Sequence, residues 1–119
     1  MFFSQLSIII ISYNVKKKLI RCLKLITEKD RSWRIIVIDN NSEDGSYEFI
    51  KRKFRKKITI KKNKKNIGFA KAVNQGISLS QSKYILLLNP DTIPSKNEIR
   101  KLLNYFKNHE KIGVIGGAI

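Results

Sequence analysis

Residues 84–92 read Tyr84-Ile85-Leu86-Leu87-Leu88-Asn89-Pro90-Asp91-Thr92, and the reading of this stretch decides the fold. A short apolar run closed by turn residues predicts a strand buried on both faces, as inside a parallel sheet. Pro90 has no N–H for a sheet ladder and turns Asn89 away from helical geometry, so the strand ends there. One carboxylate, Asp91, then stands at the lip of the strand, where open α/β sheets carry ligand chemistry.

Working outward, every other apolar run alternates with a helical pattern. Leu6–Tyr13 reads as a first strand, Arg34–Asp39 as a second, and Ile58–Ile60 as a short third strand near an edge. Between them, Leu19, Leu23 and Ile26 mark a helix over Lys16–Glu28, and Tyr47, Ile50 and Phe54 mark another. Gly68–Ile77 predicts a third helix, in which Ala70, Ala72 and Gly76 give a small face for close approach to a strand or a ligand. Ser95-Lys96-Asn97-Glu98 forms a capping box that opens a fourth helix with Ile99, Leu102, Leu103 and Phe106 on its core face. Ile112–Ile119 reads as the start of a fifth strand. The order β-α-β-α-β-α-β-α-β predicts an α/β fold, a mainly parallel, Rossmann-like sheet with helices on both faces.

Composition narrows the function classes. The chain has 119 residues, 42% of them apolar, enough for one domain with a buried core. With 25 Lys and Arg against 9 Asp and Glu, its net charge is +16. That charge fits a polyanionic partner, and equally a general lysine enrichment, since lysines fall on nearly every predicted helix and loop. Their dispersion, and the lack of a helix-turn-helix, zinc or aromatic-stacking pattern, argue against nucleic acid. A dinucleotide-dependent oxidoreductase is disfavoured because no Gly-x-Gly-x-x-Gly follows the first strand. Cys22 is the single cysteine, which excludes an intramolecular disulfide, and on its helical pattern it reads as a small buried residue. His109, Trp33 and Tyr47 read as surface or packing residues. No apolar run approaches the ~18 residues of a membrane span. Met1-Phe2-Phe3 lacks a basic leader region, so a cytoplasmic location is expected.

In a parallel sheet all strand C-termini reach one rim, and the polar clusters fall there: Ser12 to Asn14, Asp39 to Asp44, Asn66 to Lys71, and Asn89 to Thr92. These residue types suit a nucleoside diphosphate. A carboxylate such as Asp39 can accept from a base N–H or a ribose hydroxyl. Asp91 offers oxygen ligation to Mg2+ or Mn2+, and Lys71, early in a helix beside a basic loop, can meet a phosphate. Each residue also has a plainer reading, as a cap, a turn residue or a solvated lysine, and Asp91 departs furthest from it.

Together the segments LSIIIISYN at Leu6–Asn14, IIVIDNNSEDG at Ile35–Gly45, NIGFAKAVN at Asn66–Asn74 and YILLLNPDT at Tyr84–Thr92 resemble glycosyltransferase family 2. The Asn-Pro-Asp and Asn-x-Gly-Phe-Ala forms are most similar to its rhamnosyltransferase-like branch. The resemblance implies a GT-A fold and transfer of a sugar, usually with inversion, from a nucleotide-sugar donor to the hydroxyl of a glycan or lipid-linked acceptor. It implies that Tyr13 and Asn14 line the nucleotide pocket and that Asp39 holds the base. Asp44, Asn66 and Lys71 fall in segments that close over the nucleotide. Asp91 is then the metal-binding carboxylate of the family's Asp-x-Asp signature, whose first position is here Asn89. That substitution removes one charge near the metal and ribose. The family's acceptor-binding half and its general base match nothing in residues 1–119, so this chain is expected to be the donor-binding half, with nucleotide binding but no efficient transfer alone. Two further expectations are a peripheral contact of the basic surface with the anionic inner face of a membrane and, as the alternative function, a non-catalytic nucleotide- or partner-binding module.

Overall fold

The computed structural model describes residues 5–28, 33–109 and 113. Its elements are β1 (Leu6–Ser12), α1 (Lys16–Thr27), β2 (Arg34–Asp39), α2 (Ser46–Phe54), a 3-10 turn at Arg55–Lys57, β3 (Thr59–Lys62), α3 (Phe69–Leu79), β4 (Tyr84–Leu87) and α4 (Lys96–Lys107). The predicted strand at Ile112–Ile119 lies outside the described residues, Gly113 excepted. The four strands form one parallel sheet in the order β3-β2-β1-β4. The chain therefore steps outward from β1 through β2 to β3, then returns to place β4 on the other side of β1. That reversal creates a crevice beyond the C-terminal ends of β1 and β4.

Alternation along the strands divides the core into two layers. Ile8, Ile10, Ile35 and Val37 pack with Leu19, Cys22, Leu23 and Ile26 of α1, Ile50 and Phe54 of α2, and Ile99 of α4. Ile9, Ile36 and Ile38 face the other way, onto Ala72 of α3. Helices thus cover both faces, as the sequence predicts. The small face of α3 is used at Ala72 and Gly76. A Cβ placed on Gly76 would lie 2.6 Å from Cγ2 of Ile9, so a bare backbone lets this helix sit against β1. Ala70, by contrast, is exposed.

β4 departs from its prediction. The sequence implies burial on both faces; the structure covers one. Tyr84, Leu86 and Leu88 pack into the α1–α2–α4 layer, where Tyr84 meets Phe106 edge-on at 5.3 Å. Ile85 and Leu87, on the α3 side, remain 39% and 48% exposed. Among the described residues, α3 rests chiefly on β1 and β2 rather than on β4. β3 also starts later than predicted, because its ladder to β2 runs from Thr59 to Lys62. Ser95 caps α4 as expected, accepting from the Glu98 N–H at 3.4 Å.

Candidate nucleotide-binding rim

The loops after β1, β2 and β3 are joined by hydrogen bonds at the C-terminal rim. Asn14 takes a left-handed backbone, φ 52°, which asparagine tolerates. Its N–H donates to Ser42 Oγ at 2.8 Å, and its Oδ1 accepts from the Glu43 N–H at 2.8 Å. Asp39 ends β2 in register with Ser12 of β1. It is fully buried, and its Oδ2 accepts from the Ser42 N–H at 2.9 Å. Asp39 Oδ1 and Ser12 Oγ are buried with no hydrogen-bond partner. Two neighbouring polar atoms are thus held out of water unpaired, a condition that costs about 1–3 kcal/mol per group.

Asp44 has a different task. Its Oδ2 accepts from the Lys16 N–H at 3.0 Å and its Oδ1 from the Ser46 N–H at 3.0 Å, with the Ser46 hydroxyl also donating to Oδ1. One carboxylate therefore caps the first residues of both α1 and α2, where helix dipoles favour negative charge. Partial burial works to raise its pKa, but the bonds from the Ser46 hydroxyl and amide and the Lys16 amide outweigh this and hold it below 3.8.

The remaining predicted residues sit on or near the same rim. Tyr13 is exposed beside Asn14. Asn66 Oδ1 accepts from the Gly68 N–H at 2.9 Å, which fixes the turn into α3; Gly68 has φ 86° and ψ 169°, a conformation only glycine adopts freely. Lys71 is exposed in the first turn of α3. After β4, Asn89 O accepts from the Thr92 N–H and hydroxyl, at 3.1 and 2.7 Å, closing a tight turn. Asn89 Oδ1 accepts weakly from the Asp91 N–H at 3.4 Å. Asp91 is exposed, and its carboxylate has no partner among the described residues. Its backbone carbonyl accepts from Arg21 at 3.4 Å, a link to α1 that the sequence does not reveal. Asp39 thus ends β2 and Asp91 follows β4, the two neighbours of β1 in the sheet. They share one rim.

Sequence reasoning passes over three carboxamides that the structure brings together here: Asn40, Asn63 and Gln75. A signal exists, since Asn40 and Asn63 each follow the last residue of paired strands, Asp39 and Lys62. Cys22 is buried, as predicted. Burial pushes its thiol up to about 11, despite a hydrogen bond with Thr92 and the nearby Arg21 charge, so it is a poor nucleophile.

A divalent cation fits this rim in a limited way. No group of three His, Cys, Asp or Glu side chains that could hold a metal exists among the described residues. Asp91 offers a carboxylate without a partner among the described residues, with the Asn89 amide oxygen beside it. Mg2+ is commonly held by one or two carboxylates together with substrate phosphates, so the donor set suits a cation that arrives with a diphosphate.

A parallel sheet with this reversal, two buried unpaired polar atoms and an unpartnered carboxylate beyond β4 define an open α/β domain with a candidate ligand-binding rim. The chain belongs to glycosyl transferase family 2, whose profile matches residues 7–119. Among its relatives, it is 30% identical to the glycosyltransferase GlyG of Streptococcus pneumoniae, over 93% of this chain and 38% of that protein. It is 27% identical to an uncharacterised glycosyltransferase of Haemophilus influenzae, over 95% of this chain and 36% of that protein. The chain thus spans under two fifths of the length of these relatives. In fold it resembles TarS 1–349 of S. aureus, solved in complex with UDP, with a TM-score of 0.77, 19% identity, and coverage of 97% of this chain and 38% of that one. It also resembles the mannosyltransferase PcManGT of Pyrobaculum calidifontis, solved with GDP-Man and Mn2+, with a TM-score of 0.79, 17% identity, and coverage of 98% and 35%. These likenesses establish the GT-A type of fold.

Proposed function

We propose that this chain binds the nucleotide-sugar donor of a glycosyltransferase that moves a sugar to an acceptor hydroxyl with inversion. The observation that carries the reading is the orphan pair, Ser12 Oγ and Asp39 Oδ1, held in register at the rim beside the β1/β4 crevice. A hydroxyl and a carboxylate oxygen together offer a donor and an acceptor, the complement of a base edge. Asp39 is buried, so a base that reaches its unpaired Oδ1 must displace what covers it. Tyr13 and Asn14 flank the base, while Asn66 and Lys71 approach from the start of α3. Asp91, assisted by the Asn89 amide, holds a divalent cation against the diphosphate. When bound, that cation supplies positive charge for the departing nucleoside diphosphate. No residue of this chain is assigned as the base that activates the acceptor, and the isolated chain binds donor without turning it over efficiently.

The bound UDP and the GDP-Man with Mn2+ in the structural neighbours support the ligand class. The Asn-Pro-Asp form makes a rhamnosyl donor the first sugar to test. The run Lys51-Arg52-Lys53-Phe54-Arg55-Lys56-Lys57 supports peripheral contact with an anionic membrane. Its six cations are exposed at the rim opposite the donor site, where a cavity of about 540 Å³ opens between Lys24, Lys53 and Lys57. A thermal-shift panel of nucleoside diphosphates and nucleotide sugars, with and without Mn2+, tests the main reading. A metal-dependent rise in Tm is expected for at least one of them. Flat responses across the panel overturn it.

A further inference from the structure

The three carboxamides behind the rim are bonded chiefly to one another. Asn63, only 7% exposed, donates through Nδ2 to Asn40 Oδ1 and to Gln75 Oε1, each at 2.9 Å. Its Oδ1 accepts from Gln75 Nε2 at 2.9 Å, so Asn63 and Gln75 form a closed pair of reciprocal bonds. Asn40 then spends its own Nδ2 on the Gly68 carbonyl at 3.2 Å. The Asn63 backbone N–H adds a bond to the Asp39 carbonyl at 2.8 Å.

Four pieces of chain meet in this cluster: the end of β2, the end of β3, the residue that caps α3, and the middle of α3. The segment between Asn63 and Gly68 carries Lys64, Lys65 and Asn66, all exposed, and has no sheet or helix bonds of its own. Its two ends are held by the amides, by the Asn66 turn and by two backbone bonds, from the Asn63 N–H to the Asp39 carbonyl and from the Ala72 N–H to the Gly68 carbonyl. A carboxamide is the one neutral group that both donates and accepts in a planar fork, so each member dictates the orientation of the next. If Asn63 becomes a carboxylate, Gln75 keeps its Nε2 donation but its Oε1 loses its donor, while Asn40 must turn its N–H group toward the carboxylate and so loses the Gly68 carbonyl.

We propose that Asn40, Asn63 and Gln75 form a latch that fixes the 63–68 loop and the start of α3 against β2, making them positioning residues for the donor pocket. The pocket half of this statement rests on the proposed function; the loop half does not. The latch sets the height of Asn66 and Lys71 over the rim on which Asp39 lies. Its members touch neither donor nor metal.

The test compares the wild-type chain with Gln75→Leu, Asn63→Asp and the exchanged pair Asn63→Gln/Gln75→Asn, which restores both amides with the lengths swapped. Backbone hydrogen exchange is read at Asn63, Gly68 and Ala72, with the α1 amides as an internal control. UDP and GDP affinities are measured in Mn2+. Loss of two buried bonds predicts exchange about tenfold faster at residues 63–72 in Gln75→Leu and Asn63→Asp, with α1 unchanged. Nucleotide affinity falls about tenfold in both, and the exchanged pair recovers most of each loss. Unchanged exchange at residues 63–72 in the single variants overturns the latch. Faster exchange with unchanged affinity overturns its positioning role. A wild-type chain that binds no nucleoside diphosphate overturns the donor reading instead, while the exchange data still decide the latch. If Gln75→Leu does not fold, Asn63→Asp carries the same comparison.

Discussion

The two halves of the C-terminal rim are built on different plans. After β1, β2 and β3, the loops are stitched to one another through Asn14, Ser42, Asp44, Asn40 and Asn63, and most side-chain polar atoms are already engaged. After β4, the Asn89–Thr92 turn closes on itself, and Asp91 presents a carboxylate without a partner among the described residues. The difference separates residues that hold the site's shape from those left for a ligand. Within the stitched half, Asp39 Oδ1 and Ser12 Oγ are the buried side-chain atoms among the described residues that keep free capacity.

The largest expected effect comes from the open half. Asp91→Ala lowers metal-dependent nucleotide affinity about a hundredfold, since even indirect partners of metal ligands are worth 10–100-fold. Its Tm stays at the wild-type value, as nothing in the fold leans on that carboxylate. Titration calorimetry in Mn2+ together with a melting curve checks both. A destabilised Asp91→Ala variant would break the contrast between the halves.

Asp39→Asn probes one of the two sealed groups of the orphan pair. The amide oxygen still accepts from the Ser42 N–H, while an N–H replaces the unpaired Oδ1. Folding stability stays within about 1 kcal/mol, and nucleoside affinity falls about tenfold. Equilibrium denaturation and the same calorimetry separate the two quantities. Undiminished affinity would remove Asp39 from the base site.

The smallest effect belongs to Asp44, which acts wholly within the stitched half. Asp44→Ala costs about 1 kcal/mol through loss of a cap shared by two helices and leaves affinity near wild type. Its folded pKa is lowered, so its contribution is fully present above pH 3.8 and is lost as pH falls through the folded value. The Tm gap between wild type and Asp44→Ala should therefore close in acid and persist at neutral pH.

Much of this was legible in the residues. Arg34–Asp39 emerges as a strand with the bounds observed, and a parallel order sends Asp39 and Asp91 to one rim whatever the details of the loops. Gly76 announces a close approach, which is made to Ile9. Residues 84–88 were harder, because an unbroken apolar run encodes hydrophobicity on both sides without saying whether a helix covers each. The carboxamide latch was harder still. Asn63 stands in Lys61-Lys62-Asn63-Lys64-Lys65, where charge dominates the pattern, and only the third dimension shows that the neutral member turns inward. Asp44 reads as a cap residue, but a carboxylate that also reaches back 28 residues to cap a second helix is a property of packing.

The half-covered β4 has a consequence for the behaviour of the molecule in solution. Ile85 and Leu87 give one copy an adhesive strip to offer another, while a net charge of +16 drives copies apart. Added salt shortens the range of that repulsion to about 8 Å at physiological strength and leaves the adhesion intact. Dilute buffer is therefore expected to keep copies of this chain dispersed, and light scattering at rising ionic strength to show them drawing together.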